Sequence, residues 1–340
     1  MTAGLLMLDF PLSLMLLPLA VAAGVGYVSL GRVRSVAARR TARAVLLVAT
    51  WASPLCTRGP GPVQLSLGLL VGFLGVRMAA LGARGASRSA PAGSRLHATP
   101  WFVAGRMLLP EPLLVRRAAP LSRPGWVVAR GLLASGTCVG LLVVGNAVRL
   151  WHWSRLADDL LVFAEVAVGA AGLHDLIVGF AALGGHQVLG LQDNPHLASS
   201  LSQFWGRRWN RLVQGNLDRA FFRPQARRRS FTAGTLLAFT ASGLMHVVAV
   251  LDAGPPALTL GPAAVVMAFF WLHALLVLGE RSGGVLRDAD HRPGLVWRRL
   301  RTGLLFALLS PLLLDPFATV ANVHGRTLDQ PALRVPPRAP

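Results

Sequence analysis

Residues 231–251 read FTAGTLLAFTASGLMHVVAVL, an apolar stretch whose single ionisable side chain is His246. In an α-helix, about 20 residues at roughly 1.5 Å of rise each cross a hydrocarbon core about 30 Å thick. This stretch therefore predicts a membrane-spanning helix that carries a histidine. The small residues of the motif ASG precede the histidine, so another helix or a substrate can approach it closely.

Further apolar windows recur along the 340-residue chain. They lie at 11–30, 63–81, 126–148, 158–184, 230–251, 261–279 and 303–322, with a shorter one at 44–57 that can form a hairpin with 63–81. We therefore predict an all-α, polytopic integral membrane protein with about eight transmembrane helices. Residues 11–30 lack a preceding basic region and a cleavage motif, which favours a retained first span over a signal peptide.

The formal net charge of +20 comes from arginine alone, since the chain contains no lysine. Loops 31–43, 82–125, 185–229 and 280–302, which all fall on one side of the predicted membrane, hold 26 of the 34 arginines. This asymmetry predicts that these loops are cytoplasmic and that both termini are outside. Topology and contact with anionic membrane lipids explain the basicity, so no nucleic-acid partner is expected.

The chain is predicted to form a single membrane domain over residues 1–326. Residues 82–125 are rich in proline, glycine and arginine, which indicates a cytoplasmic loop with an interfacial segment. The tail 327–340 contains several prolines and is predicted to be disordered. High arginine and alanine content without lysine favours a GC-rich bacterial genome, and hence the bacterial cytoplasmic membrane.

Several predicted spans carry polar side chains that are costly in lipid. His246 is a candidate general base that takes a proton from an alcohol; the alternative is a histidine that makes one interhelical hydrogen bond. In the stretch FFWLHALLVLGE, His273 and Glu280 are seven residues apart and share a helical face. His273 either lines a cavity or bonds a neighbour, whereas Glu280 is expected to pair with Arg281 or a loop arginine.

Span 158–184 contains Glu165, His174 and Asp175. We expect these groups to satisfy one another and Arg130 between helices, because unpaired polar groups are unfavourable in lipid. No HExxH or CxxC motif occurs in the sequence, so no metal site is predicted. A G-x-S-x-G elbow, a P-loop and a dinucleotide fingerprint are also missing from it.

Residues 200–214 read SLSQFWGRRWNRLVQ and form a polar, aromatic cluster in an otherwise apolar chain. Four apolar residues recur at helical spacing, which predicts one interfacial helix with an apolar face: Leu201, Trp205, Trp209 and Leu212. The arginines of the segment then point away from that face, toward water or an anionic ligand: Arg207, Arg208 and Arg211. Anchoring at the lipid boundary explains the tryptophans and arginines. It does not explain Asn210.

The run NPHLASSLSQFWGRRWNRLVQ at 194–214, followed by ASGLMH at 241–246 and FFWLHALLVLGE at 269–280, resembles the plant-type wax synthase branch of the membrane-bound O-acyltransferase superfamily. The resemblance covers roughly residues 190–320, and the N-terminal half is similar only in hydropathy and length. The resemblance implies an acyl-CoA-dependent enzyme of this superfamily, with acyl-CoA as co-substrate and no bound cofactor.

By this resemblance, His246 is the base that activates the acceptor hydroxyl. Asn210 corresponds to the second signature polar residue, which positions the acyl donor or stabilises the developing oxyanion. The remaining implied binding residues shape the donor entrance or lie on the following helix: Trp205, Arg207, Arg208, Trp209, His273 and Glu280. Arginines suit the phosphates of coenzyme A.

The first functional hypothesis is therefore a wax-ester synthase that joins a long acyl chain to a lipophilic alcohol. An alternative keeps the mechanism but moves a short acyl group, such as acetyl, onto a terpenoid or another natural-product alcohol. A third possibility is a non-catalytic lipid-binding or transport protein with the same fold. The sequence does not distinguish acyl length, acceptor or oligomeric state.

Overall fold

The computed structural model describes residues 22–23, 35–53, 61–83, 123–149, 152–183, 191–253, 256–282 and 294–321. Most of the predicted first span at 11–30, most of the loop 82–125 and the tail 327–340 lie outside these residues. Within them every regular element is helical, which confirms the all-α prediction.

The helices are numbered in chain order. Before the central segment lie α1 (Val36–Ala52), α2 (Gly61–Ala83), α3 (Pro124–Val148) and α4 (Arg155–Leu183). The central segment holds a 3-10 turn (Pro195–Leu197), α5 (Leu201–Gln203), α6 (Arg211–Leu217) and α7 (Arg223–Ala226), with π-helical turns at Phe204–Arg208 and Asp218–Phe222. Beyond it lie α8 (Phe231–Asp252), α9 (Pro256–Arg281), α10 (Leu295–Leu309) and α11 (Pro311–Val320).

Four of the described helices, α3, α4, α8 and α9, are long and apolar enough to cross a membrane. A fifth span exists if α10 and α11, which meet at a 40° bend, are counted together. The apolar part of α2, Gln64–Ala80, is shorter. The protein is therefore an integral membrane protein, but the predicted total of eight spans is not confirmed by the part of the chain that the structure describes.

The core forms where α8 packs between α2 and α9. Ala249, Val250, Val266, Phe269 and Phe270 are buried there. Small residues permit the close approach. A Cβ added at Gly68 of α2 would lie 2.7 Å from Ala249 Cα of α8, and one added at Gly72 would lie 2.7 Å from Met245 Cγ. This small-residue face fixes the position of α8 next to α2.

Helices α3 and α4 form a hairpin whose outer surface is apolar and exposed. Leu133 and Val143 on α3 are 72% and 62% exposed, and Leu156 on α4 is 70% exposed. Such a surface is unfavourable in water but suits contact with lipid tails. The hairpin therefore presents its outer face to the bilayer.

One ion pair joins the two helices of this hairpin. Arg130 Nε and Nη2 donate to the two carboxylate oxygens of Asp175 over 2.5 and 2.7 Å. His174 Nδ1 instead accepts from the backbone N–H of Gln192 over 3.0 Å. The prediction that Arg130 is satisfied between helices is confirmed through Asp175, whereas Glu165 lies elsewhere, as described below.

Because the hairpin is closely packed at one glycine and open at another, the two glycine-to-alanine variants should differ in stability. A Cβ at Gly172 would lie 2.9 Å from Ser135 N and 3.1 Å from Gly131 O, so Gly172→Ala should push α3 and α4 apart. We expect it to destabilise the protein by about 1–3 kcal/mol. Gly136 has open space around it and is the matched control. Thermal unfolding in detergent measures both, and equal melting temperatures for the two variants would contradict this packing.

The predicted single interfacial helix over the central segment is wrong. Trp209 is extended (φ −91°, ψ 133°) and Asn210 is left-handed (φ 38°, ψ 60°), so the helix stops after Arg208 and α6 begins at Arg211. Because of this break, Leu212 lies on a different helix from Trp205. The apolar residues keep their helical spacing in the sequence although the backbone breaks between them, so periodicity alone does not reveal the break.

Candidate active site

Helix α8 carries His246 six residues before its C-terminal end, in contact with α9 and α11. Its Nδ1 lies 2.7 Å from the carbonyl oxygen of Ser242, one turn earlier. A carbonyl oxygen only accepts, so Nδ1 carries the proton and Nε2 keeps its lone pair. The ring of Phe270 lies 4.8 Å and that of Phe317 5.8 Å from the imidazole, centroid to centroid. These contacts orient the imidazole so that Nε2 of its neutral form can accept a proton.

His246 lines a cavity of about 1420 Å³. Its walls come from α2, α3, α4, α8, α9, α11 and the central segment 201–223. Ligand pockets for drug-sized molecules measure about 300–1,000 Å³, so this cavity has room for a larger ligand. The part formed by α3 and α4 is mostly apolar, whereas the part formed by the central segment contains tryptophans and arginines.

The central segment reaches the cavity through its two π-helical turns. Trp205, Gly206 and Arg207 of the first turn line the cavity, as do Arg219 and Phe222 of the second. A π-helical turn widens the helix by one residue and is frequent at functional sites. It brings consecutive side chains of residues 201–210 (the block) onto the cavity wall.

Asn210 also lines the cavity, and its backbone conformation defines the start of α6. Its Oδ1 accepts from the backbone N–H of Val213 over 3.3 Å, as an N-cap. Asparagine tolerates the left-handed conformation better than most residues with a side chain. Since the side-chain oxygen caps α6, the Nδ2 group remains as a hydrogen-bond donor. Asn210 and His246 therefore border the same space.

The two arginines of the block have different environments. Arg207 is exposed and lines the cavity. Arg208 Nη1 donates to the carbonyl oxygens of Asp193 over 2.8 Å and Asn194 over 3.3 Å. The backbone N–H of Asp193 returns a bond to Arg208 O over 2.8 Å. Arg208 therefore binds the preceding loop, whereas Arg207 borders the cavity.

Aromatic contacts hold the block against α9 and α10. The Trp205 ring lies 5.4 Å from that of His273 and 6.2 Å from that of Phe270, and Phe204 stacks on Trp209 with centroids 5.6 Å apart. Trp205 and Trp209 both line the cavity. These contacts hold the two tryptophans in the cavity wall.

His273 is fully buried and lies behind Trp205, outside the cavity lining. Its Nδ1 lies 3.0 Å from the carbonyl oxygen of Phe269, to which it donates. Within the described residues, neither His273 Nε2 nor Trp205 Nε1 has a hydrogen-bond partner. His273 therefore contacts the cavity through Trp205.

Glu280, two turns after His273, also lies outside the cavity lining. Its Oε1 accepts from the backbone N–H of Leu201 over 2.8 Å and its Oε2 from that of Ser202 over 2.9 Å. The expected partner Arg281 instead lies over the Phe231 ring, with Cζ 3.6 Å from the ring centroid. Glu280 thus binds the backbone at the start of the block.

Five charged cavity-lining residues were not predicted for this role from sequence: Glu165, Asp218, Arg219, Arg223 and Arg281. Glu165 is buried on α4, while Arg223 pairs with Asp218 over 2.6 Å. The sequence contains one signal that could have indicated the arginines as cavity residues. Arg219 and Arg223 follow the block closely, and Arg281 lies at the end of an apolar span. Only the tertiary structure brings them to the space that Arg207 borders.

Fold and site together define a helical integral membrane protein with a histidine-lined cavity. Residues 190–272 match the model of the Membrane bound O-acyl transferase family. This match confirms the resemblance to that superfamily drawn from the sequence, over the segment that contains Asn210 and His246.

Curated relatives show the same similarity. A Simmondsia chinensis protein named "Long-chain-alcohol O-fatty-acyltransferase" is 42% identical over 64 residues, which cover 16% of this chain and 18% of that protein. Arabidopsis thaliana proteins named "Probable long-chain-alcohol O-fatty-acyltransferase 1" and "2" are 28% identical over 153 residues and 35% over 96 residues. These matches cover 40% and 26% of this chain and 41% and 27% of the respective relatives. The chain therefore spans less than half the length of each of these relatives.

Proposed function

We propose that this protein is an acyl-CoA-dependent O-acyltransferase that esterifies a long-chain, lipophilic alcohol. The observation that carries the proposal is the His246 imidazole, whose Nδ1 is held by Ser242 O at 2.7 Å while the residue lines the same cavity as Asn210. The names of the plant relatives, which describe known or probable long-chain-alcohol O-fatty-acyltransferases, support the substrate class.

In the proposed reaction, His246 Nε2 takes the proton of the alcohol as its oxygen attacks the thioester carbonyl carbon. The carbon–sulfur bond then breaks, and the coenzyme A sulfur takes up the proton that His246 received. Asn210 Nδ2 donates a hydrogen bond to the carbonyl oxygen as negative charge develops there. No covalent acyl-enzyme is required, because the base activates the acceptor directly.

The two substrates approach from different ends of the cavity in this proposal. Arg207, Arg223 and Arg281 border the end formed by the central segment and the end of α9, where phosphates of coenzyme A find charge-assisted donors. The apolar end between α3, α4 and α11, which includes Leu142, Val162 and Leu314, accommodates the hydrocarbon chains. A cavity of about 1420 Å³ favours long chains over an acetyl group.

The proposed orientation puts the arginine-bearing end of the cavity in the cytoplasm, where acyl-CoA is available. This orientation is inferred from the arginine-rich loops 185–229 and 280–302, because loops rich in basic residues are usually cytoplasmic. The same topology places both termini outside, and the amino-acid composition favours a bacterial cytoplasmic membrane. Cysteine-accessibility labelling at Arg228→Cys in sealed vesicles tests it, and labelling from the extracytoplasmic side would contradict it.

The first test measures free-thiol release and ester formation by purified protein in detergent. Palmitoyl-CoA and acetyl-CoA are each supplied with and without a long-chain alcohol. Alcohol-dependent ester formation from palmitoyl-CoA is expected. Ester formation from acetyl-CoA alone would favour the short-chain alternative, and absence of turnover with both donors across a panel of alcohols would favour the non-catalytic alternative.

The arginine pair of the block provides a prediction about donor binding. Arg207→Ala should raise the KM for palmitoyl-CoA about tenfold, which corresponds to about 1.4 kcal/mol, and leave the KM for the alcohol nearly unchanged. Arg208→Ala should mainly lower thermal stability, because Arg208 supports the loop at Asp193 and Asn194. Steady-state kinetics and thermal unfolding separate the two effects.

Arg228 is the control for this comparison, since it is exposed and lies outside the cavity lining. Arg228→Ala should change neither KM by more than about twofold, as expected for a charge at a distance from the donor. If Arg207→Ala raised the alcohol KM more than the palmitoyl-CoA KM, the proposed donor end of the cavity would be wrong.

A further inference from the structure

Two of the contacts between α9 and the block lie on one face of the helix. His273 packs against Trp205, and seven residues later the Glu280 carboxylate accepts the backbone N–H groups of Leu201 and Ser202. Seven residues are two helical turns, so both side chains point toward the same partner. The family resemblance implied binding roles for His273 and Glu280, but their contacts in the structure are with the block.

With the Glu280 contacts included, each backbone N–H group of residues 201–204, at the start of the block, has a hydrogen-bond acceptor. The first N–H groups of a helix have no partner within that helix. Here Leu201 N and Ser202 N donate to Glu280, Gln203 N donates to Ser200 Oγ over 2.9 Å, and Phe204 N donates to Ser200 O over 2.9 Å. Glu280 supplies the two acceptors that come from outside the segment.

The same short stretch carries the cavity wall. Trp205 and Arg207 line the cavity within two turns of the capped start, and Asn210 follows at the break before α6. The segment is too short to hold its own orientation by helix propensity alone. Its position relative to His246 on α8 therefore depends on its tertiary contacts, which include the ring contact of Trp205 with Phe239 of α8 and the two Glu280 bonds to α9.

We propose that Glu280 is a positioning residue, which holds residues 201–210 on α9 so that Asn210 and Arg207 face the cavity correctly with respect to His246. This inference rests on the proposed acyltransferase function for its kinetic consequence, but the attachment itself is independent of any activity. The carboxylate acts through the backbone of the block and does not touch the substrates.

Hydrogen exchange measured by mass spectrometry on the full chain in detergent tests the attachment. In the unaltered protein, peptides covering residues 201–210 should exchange slowly, because their amides are bonded. Glu280→Ala should make this segment exchange at least tenfold faster, and Glu280→Gln, which keeps one carbonyl acceptor, should show a smaller increase. Ser200→Ala is the matched control, since it removes one bond at the same helix start and leaves both Glu280 bonds in place.

Kinetics test the consequence. Glu280→Ala should lower kcat/KM for palmitoyl-CoA by about 10–100-fold, as expected for a small displacement of catalytic groups. Glu280→Gln should recover part of this loss, and Ser200→Ala should lose less than about threefold. Peptides covering α3 and α4 should exchange at the same rate in all variants, which shows that the rest of the protein is folded.

The proposal is overturned if Glu280→Ala and Ser200→Ala accelerate exchange equally, or if exchange accelerates while kcat/KM is unchanged. If Glu280→Ala does not yield folded protein, Glu280→Gln alone decides by the same two measurements. If the unaltered protein forms no ester with any donor, the acyltransferase proposal fails. Exchange in residues 201–210 then still decides whether Glu280 holds the block.

Discussion

In the palmitoyl-CoA assay, His246→Ala is expected to lower kcat by about 10²–10⁴-fold, the usual contribution of a general base. The expectation follows from the hydrogen bond between Nδ1 and Ser242 O, which leaves Nε2 to accept the alcohol proton. Because a base acts in the transition state, the KM for palmitoyl-CoA should change little. Coupled thiol release and ester quantification measure the effect.

His152 provides the control for this substitution, because it is exposed at the turn between α3 and α4 and lies outside the cavity lining. His152→Ala should keep full activity. His246→Ala must also keep a thermal unfolding temperature close to that of the unaltered protein, since a folding defect would lower activity for another reason. A folded His246→Ala protein with more than a tenth of the original kcat would rule out His246 as the base.

The second large effect is expected at Asn210, where two roles must be separated. Asn210→Asp keeps an N-cap oxygen for Val213 N and a residue that tolerates the left-handed conformation, but it replaces the Nδ2 donor by an acceptor. We expect kcat to fall by about 10²–10³-fold, the loss found when one oxyanion donor is removed. Stability should be nearly unchanged, because aspartate and asparagine are similar N-caps.

Asn210→Gly completes the test, because it keeps the backbone conformation at φ 38° and removes the side chain without adding charge. It should show a loss of kcat similar to that of Asn210→Asp. If Asn210→Gly were fully active while Asn210→Asp was not, the added charge would account for the loss. Asn210 would then act only as the cap of α6.

The apolar spans were predictable because their signal is local and strong. Residues 126–148, 158–184 and 230–251 correspond to α3, α4 and α8, since a helix of about 20 apolar residues satisfies its own backbone in lipid. The shorter windows carry less signal. The predicted span at 303–322 is bent by 40° where Pro311 follows Ser310, since proline cannot continue the backbone hydrogen bonding of the preceding helix.

The candidate site was predictable only in part. The residues Asn210, His246 and Arg207 came from an ordered motif, and the structure brings them to one cavity. Arg208 was grouped with Arg207 because the two are adjacent in sequence, yet it binds the loop at Asp193. Adjacent residues point in different directions, and the π-helical turn changes those directions further, so spacing alone does not separate them.

By itself, the amino-acid sequence determined that this is a helical membrane protein with a histidine inside a span and a polar, aromatic block beside it. These features depend on hydropathy and on the order of residues, both of which are local. Only the tertiary structure decided that Glu280 holds the block, that Arg208 faces away from the cavity, and that Arg281 borders it. Those assignments depend on the packing of helices distant in sequence, which periodicity does not encode.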